Sequence, residues 1–144
     1  MKFTLKNTSR YPTAEVKRLV RFATSDLDID RVHFNVKNSS RVRRGYAYGR
    51  VPPEANVPAG TRWLITMGLG GPHNWPREEG YWKNGHFRRG GRWPEITIAC
   101  WREAVIHLAA HEAKHVEQMK ERLAISEVAC EHYAAWVLKR WRSA

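Results

Sequence analysis

The chain carries 144 residues, 25 of them Lys or Arg against 14 Asp or Glu, for a formal net charge of +11, and 42% of it is hydrophobic. This length suits one domain, residues 1–144, that buries a core without covalent staples. No stretch approaches the ~20 apolar residues of a membrane span, and Met1–Pro12 holds no signal-like apolar run. The expectation is a soluble cytoplasmic protein with no membrane partner. The positive balance favours phosphate-rich or acidic partners, nucleic acid among them, through salt-sensitive attraction. Its basic residues gather at Lys17-Arg18-Arg21, Arg41–Arg44, Arg88-Arg89-Arg92 and Lys139–Arg142. No helix-turn-helix or nucleic-acid-binding aromatic motif is evident beside them.

Thr13, after Pro12, is the expected N-cap of a first helix. Its apolar positions Val16, Leu19, Val20 and Ala23 recur at helical steps, and it ends near Ser25-Asp26. Alternation over Val32–Val36 predicts a strand and Asn38-Ser39-Ser40 a turn. Arg41–Val51 then reads as a strand pairing back, weakened or bulged at Gly45 and Gly49. Pro52, Pro53 and Pro58 mark a loop before a third, more buried strand over Arg62–Leu69. Residues 68–94 are rich in Gly, Trp, Arg and His without a sustained period and read as one long loop. His73, His86, Trp75, Trp82 and Trp93 in it either line a cleft or, as is commoner, anchor the loop to the body. Glu95–Ile98 closes the segment as a short strand.

Cys100–Met119 has no Gly or Pro, and Trp101, Val105, Leu108, Glu112, Val116 and Met119 recur at steps of three and four. This helix contains His111-Glu112-Ala113-Lys114-His115, an HExxH pentad. With seven His and eleven Glu in the chain, shuffling would give such a pentad roughly once in 40 trials, so the helical context has to carry the argument. His111 and His115 lie one turn apart on one face and can close on one metal ion, while Glu112 can reach a water on that ion. Glu112 also lies on the apolar stripe, where an unpaired carboxylate is costly; an inward polar trio argues against incidental His and Glu on a solvated helix.

A second helix is expected from Leu123 to Trp141, with Leu123, Cys130, Ala134, Val137 and Trp141 in its apolar line and Glu127 filling the gap. Glu131 follows about 40° round the same face. One of these carboxylates can ligate the metal while the other fixes a ligand imidazole through its free N–H; the plainer reading makes both surface ion-pair partners. His132, about 100° from Glu131, is the weaker replacement ligand. Eleven residues between His115 and Glu127 suffice for the chain to turn and return antiparallel. His107 stands one turn before His111, too far from His115 to share its ion, and suits a cleft wall or plain packing. Cys100 and Cys130 come out roughly 15 Å apart, too far for a disulfide.

His111-Glu112-x-x-His115 followed by Glu127-x-x-x-Glu131 resembles the gluzincin class of zinc metallopeptidases, especially its minimal single-domain members. The likeness covers about the last third of the chain and includes Tyr133-Ala134-Ala135 where small intracellular members have aromatic-Ala-Ala. The resemblance implies one zinc ion per chain held by His111, His115 and Glu127. It makes Glu112 the general base that activates a zinc-bound water, with Glu131 in the place of the usual Asp beside a ligand His. It also implies that the strand before the HExxH helix, Ile96-Thr97-Ile98, is a sheet edge that pairs with extended polypeptide substrate. Candidates for holding the oxyanion are Tyr133, His107 and His132.

The resulting expectation is an α+β, zincin-like fold: an N-terminal helix, a small sheet of three or four mostly antiparallel strands, the HExxH helix and a C-terminal helix. Its function would be zinc-dependent peptide-bond hydrolysis. The alternative is a basic nucleic-acid- or protein-binding module with a structural or degenerate zinc site, and a metallopeptidase acting on nucleic-acid-bound proteins would combine the two.

Overall fold

The computed structural model describes residues 3–40, 43–79, 81–83, 86–88 and 92–144, the two short stretches in the eighties by their backbone alone. The order is β1 (Thr4–Asn7), α1 (Thr13–Ala23), β2 (Val32–Asn38), β3 (Arg43–Tyr48), β4 (Trp63–Leu69), a 3-10 turn (Pro72–Asn74), β5 (Arg77–Glu79), β6 (Tyr81–Lys83), β7 (His86–Arg88), β8 (Ile96–Ile98), α2 (Trp101–Lys120) and α3 (Glu127–Ser143). The fold class is α+β. No helix among the described residues is long and apolar enough to cross a membrane.

Helix α1 buries Val16, Leu19, Val20 and Ala23, as its periodicity requires, each side chain contributing up to about 1.5–3 kcal/mol on full burial for the larger ones. Pro12, not Thr13, occupies the N-cap position, so the helix starts at Thr13 without a side-chain cap. It stops at Ala23, short of Ser25-Asp26, where the Thr24 hydroxyl donates to the Val20 carbonyl at 2.8 Å and closes the last turn.

The main sheet has strand order β1-β2-β4-β3 and is mixed, which corrects the expectation of a mostly antiparallel one. β1 and β2 run parallel because α1 carries the chain back between them, and β2 pairs parallel with β4; only β3 and β4 are antiparallel. β3 therefore does not pair back on β2. β4 lies between them because Leu64, Ile65, Met67, Gly68 and Leu69 bury both of its faces, a pattern that needs neighbours on either side. β3, with Arg43, Arg44 and Gly45, suits an edge. β1 is a strand the sequence pattern did not announce; its four residues are too few for a period to register.

Residues 68–94 are not one loop. β5 pairs antiparallel with β8, and β6 with β7. Trp75 packs against the core, the anchoring role, while His73 is exposed. Arg41, Val42 and Arg89 lie outside the described residues, as do the side chains of Trp82, His86 and Arg88.

The inner sheet face, with Phe34, Val36, Ile65 and Met67, packs on the helices, and Ala104, Val105, Ala109, Val116, Ala134 and Val137 join the same core. Arg122 takes a left-handed φ of 56° just past α2, and α3 opens on Ser126, whose hydroxyl accepts from the Ala129 N–H at 3.1 Å. Leu123 is thus not part of the last helix; it is 57% exposed. Contacts from His107 to Glu131, His115 to Glu127 and Gln118 to Ser126 show the two helices running antiparallel.

α2 lies hard against β3. A Cβ on Gly45 would stand 2.7 Å from both Glu112 Oε2 and Leu108 Cδ1. Both neighbours are buried, so neither can simply swing away. Gly45→Ala is expected to lower stability by about 1–3 kcal/mol through overpacking, read as a shift in the denaturation midpoint. An unchanged midpoint would mean that strand and helix stand farther apart.

Candidate metal centre

His111 and His115 are both buried on α2, with ring centroids 5.0 Å apart and planes at 73°. Their Nε2 atoms converge on one carboxylate: Glu127 Oε1 is 3.4 Å from Nε2 of His111, and Oε2 touches Nε2 of His115. The other nitrogen of each ring is committed elsewhere. His111 Nδ1 faces Glu131 Oε1 at 3.2 Å, and His115 Nδ1 lies 3.2 Å from Gln118 Oε1. The Gln118 amide is itself oriented by the Ser126 backbone, whose N–H donates to Oε1 and whose carbonyl accepts from Nε2, both at 3.3 Å. The atom presented to His115 is therefore an acceptor. Each Nδ1 thus faces an acceptor oxygen, and both Nε2 atoms are turned toward Glu127.

Behind His111 the network continues. Arg43 Nη1 lies 2.6 Å from His107 Nδ1, and His107 Nε2 lies 3.4 Å from Glu131 Oε2. Arg43 Nε is also 3.3 Å from Glu79 Oε1, which Arg77 shares. A guanidinium only donates, so His107 Nδ1 must accept and its Nε2 must carry the proton. Burial, then the Arg43 charge, lowers the His107 pKa from its usual range, in keeping with a neutral ring. Burial alone would raise Glu131, but hydrogen bonds from His107 and His111 hold it well below the usual carboxylate range. At His111 burial acts downward, and the Glu131 hydrogen bond with the Glu112 charge outweighs it, leaving the pKa raised.

Glu112 Oε2 is 4.0 Å from His111 Nε2. Burial lifts its pKa to about 7 against the lowering charge of His111, with Glu127 adding to the rise. It stands with His115, Met119 and Glu127 along a cleft of about 410 Å³ whose far wall is β3, at Gly45 and Ala47.

His111, His115 and Cys130 form a buried group whose ligand atoms all lie within 4.8 Å of one another and which could hold a metal ion. The donor chemistry suits a transition-metal ion: two imidazoles, a thiol and an adjacent carboxylate. The buried polar atoms point the same way. His111 Nδ1, His107 Nε2 and Glu131 Oε2 have no well-aligned hydrogen bond, though each faces its counterpart at 3.2–3.4 Å. Such a set is expected where an ion completes the electrostatics.

Of the residues named from sequence, His111, Glu112, His115, Glu127 and Glu131 are brought together. His107 is fully buried behind the site and does not line the cleft. Ile96 and Ile98 point into the core and β8 pairs with β5, while the Thr97 carbonyl meets Arg142. The wall opposite the imidazoles is β3, an edge strand of the four-stranded sheet among the described residues, and no β8 residue lines the cleft. His132 turns outward to the Arg92 carbonyl at 2.6 Å. The Tyr133 hydroxyl is buried without a partner and its ring lies 5.0 Å from Lys114 Nζ, so neither residue reaches the cleft as an oxyanion donor.

Arg43, Gln118 and Cys130 went unread in the sequence. Cys130 follows Glu127 by three residues, so helical spacing alone could have placed it on the ligand face; Gln118 follows His115 by three in the same way. Arg43 arrives from a distant strand and left no local signal. No protein-family model, curated protein or solved structure is significantly similar to this chain.

The donor chain makes a direct claim about one ring. Long-range ¹⁵N–¹H correlation spectra should show His107 as the Nε2–H tautomer, and as the opposite tautomer or a mixture once Arg43→Met removes the donor at Nδ1. A protonated Nδ1 in the unaltered protein would break the chain from Arg43 to His111.

Proposed function

We propose that the chain is a zinc-dependent peptidase of the gluzincin type, with His111, His115 and Glu127 as ligands and Glu112 as general base. The carrying observation is the convergence of two buried imidazole Nε2 atoms on one carboxylate, with an acceptor oxygen facing each Nδ1. Glu127 is preferred to Cys130 as third ligand because it touches both Nε2 atoms. Burial pushes the Cys130 thiol up to about 12, whereas the thiolate is the form that binds metal. Bound zinc would supply Lewis acidity, easing the ionisation of water and polarising a carbonyl.

The protein's own groups do the rest. Glu112, largely buried at the wall of the cleft, takes the proton of the attacking water and passes it to the departing amine. Glu131 and Gln118 keep the imidazoles in one tautomer and one orientation through the cycle. The free edge of β3 offers N–H and C=O groups to an extended polypeptide, the role that the resemblance had given to Ile96-Thr97-Ile98. That chain would lie in the cleft lined by Ala47, Gly49, His115, Met119 and Glu127.

A second reading is favoured by the nearness of Cys130: a closed set of His111, His115, Glu127 and Cys130 would make the site structural, because no position would stay open for water. Metal analysis with cobalt substitution separates the two. On the catalytic reading, Glu112→Gln keeps about one metal ion per chain and loses about 10²- to 10⁴-fold in peptide hydrolysis. Glu127→Ala releases the ion, and Cys130→Ser retains it with an unaltered cobalt spectrum. A thiolate-to-cobalt absorption band that vanishes in Cys130→Ser would establish the closed set, and equal hydrolysis by Glu112→Gln would remove the general base.

A further inference from the structure

The main sheet has a second face, turned away from the helices, and its composition is unusual. In register across it, Lys6 stands beside Asn35, Asn35 beside Thr66, and Thr66 beside Tyr46. The next row holds Lys37, Gly68 and Arg44, and Tyr48 follows Tyr46 along β3. The two cations flank a cavity of about 490 Å³, with Ser39, Tyr46, Tyr48 and Thr66 on its wall. Tyr46 is 59% exposed, and its ring centroid lies 4.6 Å from that of Tyr48. Among the described residues no acidic side chain occupies an outward position on these four strands.

Several of the other described basic residues are differently placed. Arg140 pairs with Asp26 and Arg142 with Glu103, Arg18 lies over the Trp141 ring, and Arg43 points inward to His107. The sheet face thus concentrates positive charge beside bare aromatic surface.

We infer that this face binds single-stranded nucleic acid, with Tyr46 and Tyr48 stacking on bases and Lys6, Lys37 and Arg44 neutralising phosphates. Stacking on exposed aromatics is tolerant of sequence, and the flanking cations follow a flexible phosphate backbone. A flat sheet presents no helix or ribbon to a duplex groove, which excludes major-groove reading by this surface. The exposed Tyr46, with the half-buried Tyr48 beside it, favours a base-bearing strand over an acidic peptide, which would engage the cations alone. The inference does not rest on the metal centre, and loss of either leaves the other standing.

The test is fluorescence anisotropy of the full chain with labelled oligothymidylate and oligouridylate of about twelve nucleotides, between about 50 and 200 mM salt. Tyr46→Ala should weaken binding roughly tenfold or more, and Tyr46→Phe should keep it, because the ring and not the hydroxyl does the stacking. Lys37→Gln with Arg44→Gln should reduce the salt slope by about 1.4, the share of two phosphates on a single strand. All these positions are exposed, and circular dichroism verifies folding of each variant. The inference is overturned if no oligonucleotide binds at low salt, or if polyglutamate of equal charge displaces the oligonucleotide equally well. Binding that ignores Tyr46→Ala and the paired Gln variant but is lost in Lys17→Gln with Lys139→Gln would overturn it too.

Discussion

Everything at the centre of this molecule depends on which nitrogen of each imidazole is left bare. A histidine alone in water has two nitrogens to offer and little reason to prefer either. Here Glu131 faces one ring and Gln118 the other, both at Nδ1, so acceptors on that side leave the two Nε2 atoms to converge on Glu127. The acceptors differ in kind. Glu131 is an anion held ionised by His107, His111 and Arg43, whereas Gln118 is neutral and owes its orientation to the Ser126 backbone. The turn between α2 and α3 is therefore part of the site: the N-cap residue that starts the last helix also aims the amide that aims His115.

The same dependence ties the site to the sheet. Glu79 on β5, Arg43 on β3, His107 on α2 and Glu131 on α3 form one file of alternating charge and ring, so four elements fix one imidazole. Each member is buried enough that removal would leave its neighbour with an uncompensated polar group, a penalty larger than the net worth of the pair. Arg43 can reach His107 only because β3 lies directly against α2, and that approach exists because residue 45 is glycine. Backbone proximity and side-chain electrostatics are thus one constraint, not two.

This division explains what the sequence could reveal. The grouping of His111, His115, Glu127 and Glu131 was legible because helical spacing is local: residues three and four apart share a face whatever the rest of the chain does. The strand ranges of β2 and β4 were legible from alternation and apolar density. Their pairing was not, since Asn38-Ser39-Ser40 resembles a hairpin turn and only the two-sided burial of β4 reveals that it intervenes. Residues 68–94 defeated periodicity because β5, β6 and β7 are three residues each, shorter than any window in which alternation becomes visible. Arg43 looked like one more surface charge in a basic run; its neighbour Arg44 is one.

The contrast between those two arginines is the pleat acting as a sorting device. Along β3 the odd positions, Arg43, Gly45 and Ala47, face the helices and the cleft. The even ones, Arg44, Tyr46 and Tyr48, face outward, and the free backbone edge lies between the two sets. A slip of one residue would exchange them, driving two tyrosines toward Glu112 and removing Arg43 from His107. The register is held by β4, whose Ile65 and Met67 must stay in the core opposite Ala47 and Gly45. One six-residue strand therefore steadies His111 through His107 and Glu131, walls the cleft and carries the exposed Tyr46, because these roles occupy different directions.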